Sequence, residues 1–438
     1  MTDTFFIQTF GCQMNERDSE TLAGMLMDLG YRESSEKEKA DIVVINTCSI
    51  REHADERFFG ILGQLKKLKE NNQDMIVALC GCMMQQQHII ERVKTKFPWV
   101  DVIFGTHNIH EFPKLIKALI DEKQRQIHVW DEGGDIVEGL PSKRKFKYKS
   151  FVNIMQGCNN FCTYCIVPFT RGRERSRTPE VVISEVRELV ADGVKEITLL
   201  GQNVNSYRGE GNVDFPNLLK KLNSVEGLER IRFMTSHPKD ISDGLISCFK
   251  ELDKLCSHIH LPVQSGSDSV LKRMNRHYDR KRYLDIIRKL RKACPDIAIS
   301  TDIIVGFPGE TEEDFQDTLD LINEVEFDSA FTFIYSVRKG TPAERYEDHI
   351  PEEVKHSRFT RLVEAINASA TKKNEVLQGS ICSVLVEGRS KHGKESVCGR
   401  TEGFKLVDFS GNESMIGEIV DVKITRGRTF SLTGELQR

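Results

Sequence analysis

The first part of the chain alternates short apolar runs with longer stretches in which apolar residues recur at helical spacing. The apolar runs predict strands at Phe5–Phe10, Ile42–Asn46, Met75–Leu79 and Val100–Phe104. The amphipathic stretches predict helices at Glu16–Leu29, Arg51–Glu70, Gln85–Lys96 and Ile109–Asp121. This alternation is typical of a parallel sheet with helices on both faces, so we predict an α/β domain over residues 1–121.

A β-then-α pattern recurs in the middle of the chain, after a polar segment without helical or strand periodicity. We interpret that segment, residues 122–149, as a linker. Its basic run Lys143–Lys149 is either solvated or in contact with RNA. Apolar runs then predict strands at Phe151–Met155, Glu196–Leu200, Arg230–Thr235, His258–Val263, Ala298–Val305 and Ala330–Tyr335. Six such units predict a (β/α)6 partial TIM barrel over residues 150–374, with its chemistry at the carboxyl ends of the strands.

The last segment, residues 375–438, changes to short β-rich runs separated by glycine-containing turns. Strands are predicted at Cys382–Glu387, Lys405–Phe409, Ile416–Ile424 and Ser431–Leu436. This pattern is typical of a small antiparallel barrel of the oligonucleotide-binding kind. A basic face for RNA is predicted from Arg389, Lys391, Lys394, Arg400, Lys405, Arg426 and Arg428.

Amino-acid composition says little about the function or the partners of the protein. The chain has 438 residues, with 62 basic and 66 acidic side chains, so its total charge does not indicate a nucleic-acid partner. The first ten residues lack the features of a signal peptide, and no apolar run approaches the ~20 residues that cross a bilayer. We therefore expect a cytoplasmic protein without a membrane partner.

Cysteine usage points to metal or redox chemistry, because twelve cysteines without a secretion signal do not favour disulfides. Cys158, Cys162 and Cys165 form a C-x3-C-x2-C motif just after a predicted strand. Three thiolates can hold three irons of a cubane and leave the fourth iron open to a cofactor. A zinc site would need a fourth ligand, and a disulfide would leave one cysteine over, so we favour a 4Fe–4S cluster.

A second set of cysteines follows predicted strands of the first domain. Cys12, Cys48 and Cys82 each come just after a strand, and parallel strands end at the same edge of a sheet. Each alone would be an ordinary buried cysteine, but together they predict a second cluster with three ligands. Cys80 competes with Cys82, although strand alternation points Cys80 into the sheet packing.

The motif of the central domain, with the aromatic Tyr164 just before its last cysteine, resembles the signature of the radical S-adenosylmethionine (SAM) superfamily. The resemblance implies that SAM meets the strand ends of the barrel. Candidate contacts are Tyr164, Gly201, Gln202, Asn203, Ser236, Gln264, Ser265 and Val305. A strand-end Ser, Gln or Asn can equally be a turn residue. Arg171, Arg173 and Arg175 follow the motif and either form a solvated loop or hold the SAM carboxylate or the substrate backbone.

The first domain resembles the amino-terminal domain of the radical-SAM methylthiotransferases. The similarity rests on TFGCQMN at Thr9–Asn15, NTCSIREHA at Asn46–Ala54 and GCM at Gly81–Met83. Membership implies an auxiliary 4Fe–4S cluster on Cys12, Cys48 and Cys82, a carboxyl-terminal TRAM domain, and two SAM per turnover. No side chain is then an obligatory acid or base.

Within that family, the segments Cys158–Pro168, Gly201–Tyr207 and Tyr335–Ala343 look most like members that add a methylthio group to N6-dimethylallyladenosine in the tRNA anticodon stem-loop. We expect a monomer that takes electrons from a flavodoxin or ferredoxin. Alternatives are a methylthiotransferase for threonylcarbamoyl-adenosine tRNA or for a ribosomal-protein aspartate. An alternative of another class is a non-catalytic iron–sulfur protein that binds RNA or carries electrons.

Overall fold

The structure is a computed structural model that describes residues 3–49, 54–391, 393 and 395–437. Ile50–His53, with the predicted start of the second helix and part of one motif, and Lys394 of the predicted basic face lie outside the described residues. In the described ranges, no helix is both long enough and apolar enough to cross a bilayer.

The amino-terminal domain contains a parallel sheet of order β2-β1-β3-β4-β5-β6. Its strands are β1 Thr4–Thr9, β2 Arg32–Glu33, β3 Ile42–Thr47, β4 Ile76–Gly81, β5 Val102–Phe104 and β6 Gln126–His128. The helices are α1 Gln13–Asp28, α2 Ala54–Asn71, α3 Gln87–Lys96 and α4 Phe112–Glu122. Separate apolar cores cover the two faces, and every residue of β3 is buried. The predicted α/β sheet is therefore confirmed.

One prediction for this region is wrong. Residues 122–149 were expected to lack strand structure, but Gln126–His128 adds β6 in parallel to the edge of the sheet. The strand is short and only partly buried, with Ile127 as its sole aliphatic residue, so it has no apolar run that periodicity could detect.

The central domain is a half-open barrel of parallel strands, as predicted. Its wall consists of β7 Lys149–Asn153, β10 Glu196–Leu200, β13 Arg230–Phe233, β14 His258–His260, β15 Ala298–Val305 and β16 Ser329–Ile334. These strands pair in the orders β13-β10-β7 and β14-β15-β16, and an isolated parallel bridge from Ile231 to Leu255 joins the two halves. Strand β14 ends before the predicted Val263, because Pro262 has no N–H for the ladder.

Helices cover the outside of the barrel, and two short antiparallel ribbons lie near its carboxyl end. The helices are α5 Val167–Thr170, α6 Pro179–Ala191, α7 Phe215–Asn223, α8 Asp243–Glu251, α9 Asp268–Arg273, α10 Arg280–Ala293, α11 Glu312–Val325 and α12 Glu352–Glu375. The ribbons are β8 Met155–Gln156 with β9 Arg175–Ser176, and β11 Arg208–Gly209 with β12 Val213–Asp214. The pair β8–β9 flanks the cysteine motif and fixes where its loop begins.

The carboxyl-terminal domain is a small closed barrel of order β17-β18-β19-β21-β20, again as predicted. Its strands are β17 Ile381–Arg389, β18 Ser396–Thr401, β19 Leu406–Ser410, β20 Ile419–Gly427 and β21 Leu432–Leu436. Strand β18 was not predicted. Its inward positions are Val397, Gly399 and Thr401, so two of the three carry no apolar signal.

This small barrel docks against the amino ends of the central strands. The Arg232 guanidinium donates to the carbonyls of Thr401 and Glu402, both at 2.7 Å, and it pairs with Glu196 at 2.9 Å. Two members of the predicted basic face are used in the same contact region. Lys405 pairs with Asp328 at 2.7 Å, and Arg400 stacks on Phe404. The predicted face is therefore smaller than expected, since these two cations are engaged by protein groups.

Candidate functional site

The first cysteine set lies on one loop at the carboxyl end of the central barrel. Cys162 is buried, and Cys158 and Cys165 are half-buried, with all three as free thiols. The Cys165 amide donates to the Cys162 carbonyl at 2.9 Å, which folds the loop tightly. The Cys158 amide donates to the Gly172 carbonyl at 3.1 Å, so the loop also contacts the arginine-rich segment.

Two backbone positions of this loop require special conformations. Gly157 has φ +79°, and a Cβ there would lie 2.0 Å from the Arg173 carbonyl oxygen. Only glycine fits this close approach. Phe161 also has positive φ, at 47°, which costs free energy unless the surroundings hold it.

The segment Arg273–Arg276, at the carboxyl end of α9, supplies that support. Asn275 donates to the Phe161 carbonyl at 3.0 Å. The amide of Thr163 donates to the Met274 carbonyl at 3.1 Å, and its hydroxyl donates to the Arg273 carbonyl at 2.9 Å. The loop conformation is thus held by hydrogen bonds to a part of the chain that is distant in sequence.

Arg276 is the buried cation of this support, with 4% of its surface exposed. One guanidinium nitrogen lies 3.4 Å from the Cys162 sulfur and 3.4 Å from the Tyr164 hydroxyl. Its other two nitrogens donate to the Pro262 carbonyl at 2.8 Å and to the Tyr278 hydroxyl at 3.0 Å. Arg276 therefore ties the cysteine loop to the end of β14.

Burial, with smaller contributions from neighbouring thiols, raises the pKa of Cys158 to about 11 and that of Cys165 to about 12. These two thiols are therefore protonated in the absence of a metal. A bound metal reverses this preference, because it coordinates the thiolate.

The second cysteine set lies at the carboxyl edge of the amino-terminal sheet. Cys48 and Cys82 are buried and Cys12 is half-buried, at the amino end of α1. Burial, with smaller contributions from Cys12 and Cys48 and against a lowering by Arg171, raises the pKa of Cys82 to about 11. The three cysteines follow the carboxyl ends of β1, β3 and β4, which are neighbours in the sheet. Cys80, by contrast, packs in the apolar core of the sheet.

The strand ends approach one another closely around this set. A Cβ on Gly11 would lie 2.7 Å from the Cys48 sulfur, and one on Gly81 would lie 2.3 Å from the Thr47 carbonyl oxygen. Both glycines have positive φ, at 112° and 90°. These positions therefore need glycine for two reasons, since a side chain would be strained and would also clash.

Asn15 and Arg171 hold this edge together across the domain boundary. The buried Asn15 amide donates to the carbonyls of Phe10 and Thr47, both at 2.7 Å, and thereby links β1 to β3. Its oxygen accepts from Arg171 at 3.0 Å, and Arg171 also pairs with Asp18 at 2.6 Å. Arg171 was predicted to contact substrate, but here its guanidinium binds the amino-terminal domain.

The other two predicted arginines differ in their surroundings. Arg173 is exposed and lies over the Phe161 ring at 4.4 Å. Arg175 is half-buried and donates to the Arg171 carbonyl and to Gln156. Only Arg173 of this group keeps its guanidinium largely at the surface.

The predicted SAM contacts on the first strands lie near the cysteine loop. Gln202 accepts from the Gly157 amide, and the Gly201 carbonyl accepts from Thr235 at 2.6 Å. Asn203 donates to Asp240 at 2.7 Å, but its buried side-chain oxygen has no hydrogen-bond partner among the described residues. The buried hydroxyl of Ser236 is likewise without a partner in the described part of the chain.

The remaining candidates occupy the second half of the barrel and the loop. Gln264 has φ +70°, and its amide donates to the Asp302 carbonyl at 2.8 Å. The Ser265 hydroxyl is engaged by Thr318 at 3.3 Å, so it faces α11. Val305 is buried at the end of β15, and Tyr164 packs against an apolar cluster beside it.

Two further groups at these strand ends were absent from the predicted site. The Asn153 side-chain oxygen and His237 Nε2 are buried without a partner among the residues described. His237 Nδ1 accepts from the Lys239 amide at 3.2 Å, so the neutral ring carries its proton on Nε2. Burial lowers the pKa of His237 and keeps the ring neutral. Asn153 ends β7 and His237 follows β13, so both could have been predicted from their strand-end positions, as Asn203 and Ser236 were.

In the described ranges, no group of three or more His, Cys, Asp or Glu side chains is arranged to hold a single metal ion. A cubane spreads its thiolates over separate irons, so it does not need so compact an arrangement. Each predicted set supplies three thiols, which are the ligand type of iron–sulfur clusters.

Comparison with known families divides the chain into three matches. Residues 152–322 match the radical SAM superfamily, residues 4–105 match the uncharacterized protein family UPF0004, and residues 375–437 match the TRAM domain. These matches agree with the three folded units and support the predicted fold class.

Full-length relatives are similar over nearly the entire chain. The tRNA-2-methylthio-N(6)-dimethylallyladenosine synthase of Clostridium botulinum is 56% identical over 98% of this chain and 96% of its own. The protein of that name from Clostridioides difficile is 57% identical over 98% of this chain and 91% of its own. The one from Clostridium perfringens is 56% identical over 99% and 97%.

Among solved structures, the radical S-adenosylmethionine methyltransferase TsrM from Kitasatospora setae, with cobalamin and a [4Fe-4S] cluster bound, has a similar fold. Its TM-score is 0.56 at 13% identity, over 78% of this chain and 77% of that one. At this identity the likeness concerns the fold alone.

Proposed function

Because the chain belongs to the family of the tRNA-2-methylthio-N(6)-dimethylallyladenosine synthases, which are radical SAM enzymes, we propose that it adds a methylthio group to N6-dimethylallyladenosine beside the tRNA anticodon. One observation carries the proposal. Two separate sets of three cysteines lie on adjoining domains, and Arg171 spans the boundary between those domains.

The donor sets fit two 4Fe–4S clusters. Cys158, Cys162 and Cys165 would hold the first, and a second set, Cys12, Cys48 and Cys82, would hold the other. The glycine approaches at Gly11 and Gly81 keep the second edge free of side chains where a bulky inorganic group would lie. When bound, such clusters supply one-electron chemistry and, with three protein ligands each, an open iron.

The barrel strand ends supply a polar lining that fits SAM. Buried polar groups in proteins almost always have a hydrogen-bond partner, yet four here have none within the described residues. The side-chain oxygens of Asn153 and Asn203 can accept from an ammonium group, and His237 Nε2–H can donate to a carboxylate or hydroxyl. The Ser236 hydroxyl can do either. These groups bind and orient the cofactor, while the buried walls around them exclude water.

The other predicted contacts follow from their positions. Gln202 orients the cysteine loop through the Gly157 amide, and Tyr164 forms an apolar wall beside Cys165. Gln264 and Val305 lie at strand ends of the second half of the barrel, where they would meet the nucleoside part of SAM. Ser265 is a weaker candidate, since its hydroxyl is engaged by Thr318.

The tRNA would contact the protein along the open side of the barrel. The TRAM barrel docks at the amino ends of the strands, whereas both cysteine sets lie at carboxyl ends. A strand of 8 residues such as β15 spans about 26 Å. An anticodon stem-loop held by TRAM would therefore run along the barrel, with the exposed Phe331 and Phe333 of the outer strand β16 and the exposed Arg173 beside its path.

The remaining parts of the proposal concern partners and setting. A reductant such as a flavodoxin or ferredoxin would deliver the electrons, and two SAM would be used per product. We expect a monomer that works in the cytoplasm, where tRNA is found. The site itself is contained in one chain, which supports the monomer.

Anaerobic reconstitution tests this function. We expect about eight irons per chain, 5′-deoxyadenosine on reduction with SAM, and a methylthio product on tRNA that carries N6-dimethylallyladenosine, measured by nucleoside mass spectrometry. The matched control is the same tRNA without the dimethylallyl group. Methylthiolation of threonylcarbamoyl-adenosine tRNA instead, or intact SAM under reduction, would contradict the proposal.

A further inference from the structure

Arg276 is a buried cation without a carboxylate partner in the described part of the chain. Its hydrogen-bond partners are a carbonyl, two tyrosine hydroxyls and the Cys162 sulfur. The other arginine that reaches a cysteine set, Arg171, is instead paired with Asp18. Burying a charge without a counter-charge is costly, so Arg276 requires a negative partner that the protein side chains do not supply.

The position of Arg276 identifies that partner. Of its neighbours, only Cys162 becomes an anion under ordinary conditions, when a metal displaces its proton. A cluster on three thiolates would bring negative charge to the same place. The guanidinium would then be both hydrogen-bonded to a ligand sulfur and next to the charge that compensates it.

Each of the three guanidinium nitrogens already donates to a protein group, and these bonds fix the orientation of the Arg276 side chain. It also links elements that are far apart in the sequence. One side of the guanidinium contacts Cys162 and Tyr164 of the cysteine loop, and the other contacts Pro262, two residues before Gln264. Arg276 is therefore suited to position the loop relative to the end of β14.

We propose that Arg276 is a positioning residue for the first cluster: it neutralises the cluster charge, donates to the Cys162 sulfur and raises the reduction potential. This inference rests on the proposed function. The physical reason is that a fixed positive charge and N–H···S hydrogen bonds favour the reduced, more negative state of a cluster. Both effects make the one-electron reduction of the cluster easier.

The test uses the full-length chain with Cys12, Cys48 and Cys82 replaced by Ala, so that only the first cysteine set can hold a cluster. Iron content and the midpoint potential are measured anaerobically by electron paramagnetic resonance during a redox titration. In Arg276→Gln, which loses the charge, we expect a more negative potential. The reduced-to-oxidised ratio at the parent's midpoint should fall about tenfold, which is about 59 mV for one electron.

Two variants separate the role of Arg276 from a general effect on folding. Arg276→Lys keeps the charge but loses the hydrogen bond to Cys162, and it should shift the ratio in the same direction by only about threefold. It also serves as the test if Arg276→Gln does not fold. Arg288→Met is the matched control, because Arg288 is exposed on the outer helix α10 and pairs only with the neighbouring Asp285 among the described contacts. Its potential should equal the parent's.

The outcomes are distinguishable. If the parent binds a cluster and both Arg276 variants have its potential, the inference is wrong while the proposed function stands. Equal shifts in Arg288→Met and Arg276→Gln would also overturn it, since the effect would then not depend on the buried charge. If the parent binds no iron, the proposed function itself fails.

Discussion

The two cysteine sets are assembled in different ways. The first comes from one short loop, and a distant segment, Arg273–Arg276, supports it from below. The second comes from three loops that meet only because β1, β3 and β4 are parallel neighbours. Its supports, Asn15 and Arg171, bridge strand ends and domains.

This difference predicts different weaknesses. The spacing of the first set is written in the local sequence, so it depends on the conformation of a single loop. The second set depends on the register of the sheet, and any change that separates β1 from β3 would disperse its thiols. The arginines beside the two sets also differ. The charge of Arg171 is neutralised by Asp18, whereas the charge of Arg276 would, by the inference above, be neutralised by a cluster.

The largest expected effect is on the first set. Cys158→Ala leaves two thiols on the loop, so 5′-deoxyadenosine formation from SAM should fall by about two orders of magnitude or more, and methylthiolation with it. Anaerobic assays with mass spectrometry measure both products. The control is Cys294→Ala, a half-buried cysteine on the helical layer, which should retain activity within about twofold. Retained SAM cleavage in Cys158→Ala would exclude the loop as the cluster site.

The next test separates the two sets from each other. Cys82→Ala should abolish methylthiolation but leave 5′-deoxyadenosine formation within about threefold, because the first set keeps its own ligands. Nucleoside and SAM-product analysis of the same reaction gives both values.

The matched control for that test is Cys80→Ala, two residues before Cys82 and within β4. Its thiol lies in the apolar core, so the change should cost about 1 kcal/mol of stability and spare both products. If Cys80→Ala lost methylthiolation and Cys82→Ala did not, the assignment at this strand would be reversed.

A third test weakens the sheet edge without replacing a cysteine. Asn15→Leu leaves the carbonyls of Phe10 and Thr47 without their donor, at about 1–3 kcal/mol for each buried group. Hydrogen exchange of β1 and β3 in the metal-free chain should therefore speed up. Asn217→Leu, at an exposed position, is the control. Unchanged exchange protection in Asn15→Leu would show that the Asn15 hydrogen bonds do not hold β1 and β3 together.

The smallest expected effect concerns the junction between the two sets. His107 lies against Gly172, and burial, with Arg175 and Arg171 nearby, lowers its pKa to about 4 from 6.5. Between these values the unfolded chain takes up a proton that the folded chain does not, so stability falls as pH decreases from about 6.5 towards 4. In metal-free protein, His107→Gln should reduce the loss of thermal midpoint between pH 7.5 and 5.5 by about 2 °C. An equal loss in both proteins would mean that other groups dominate the acid response.

Much of the fold could be predicted because several of its strands, such as β3, are buried on both faces and therefore appear as continuous apolar runs. Strand β15 was predicted with its observed ends, and β3 nearly so. Strands β6 and β18 could not be predicted, since one lies at an exposed edge and the other directs Gly399 and Thr401 inward. Periodicity reports apolar burial, and these strands have little of it.

The candidate site was predictable where its residues lie in a motif of fixed spacing or at the ends of strands. The cysteine spacing and the strand-end positions needed no coordinates, and Asn203 and Ser236 were predicted by the same reasoning. The engagement of Ser265 by Thr318 could not be inferred, because it depends on how α11 packs. The same holds for Lys405, whose partner Asp328 belongs to another domain.

The amino-acid sequence by itself determined the ligand types, the order of the three domains and the edge at which each set of thiols emerges, because these follow from spacing and strand direction. Only the tertiary structure decided which polar groups surround the thiols. Asn15, Arg171 and Arg276 are distant in sequence from most of the groups they contact. Local periodicity carries no information about such long-range contacts, which exist only after the elements have packed.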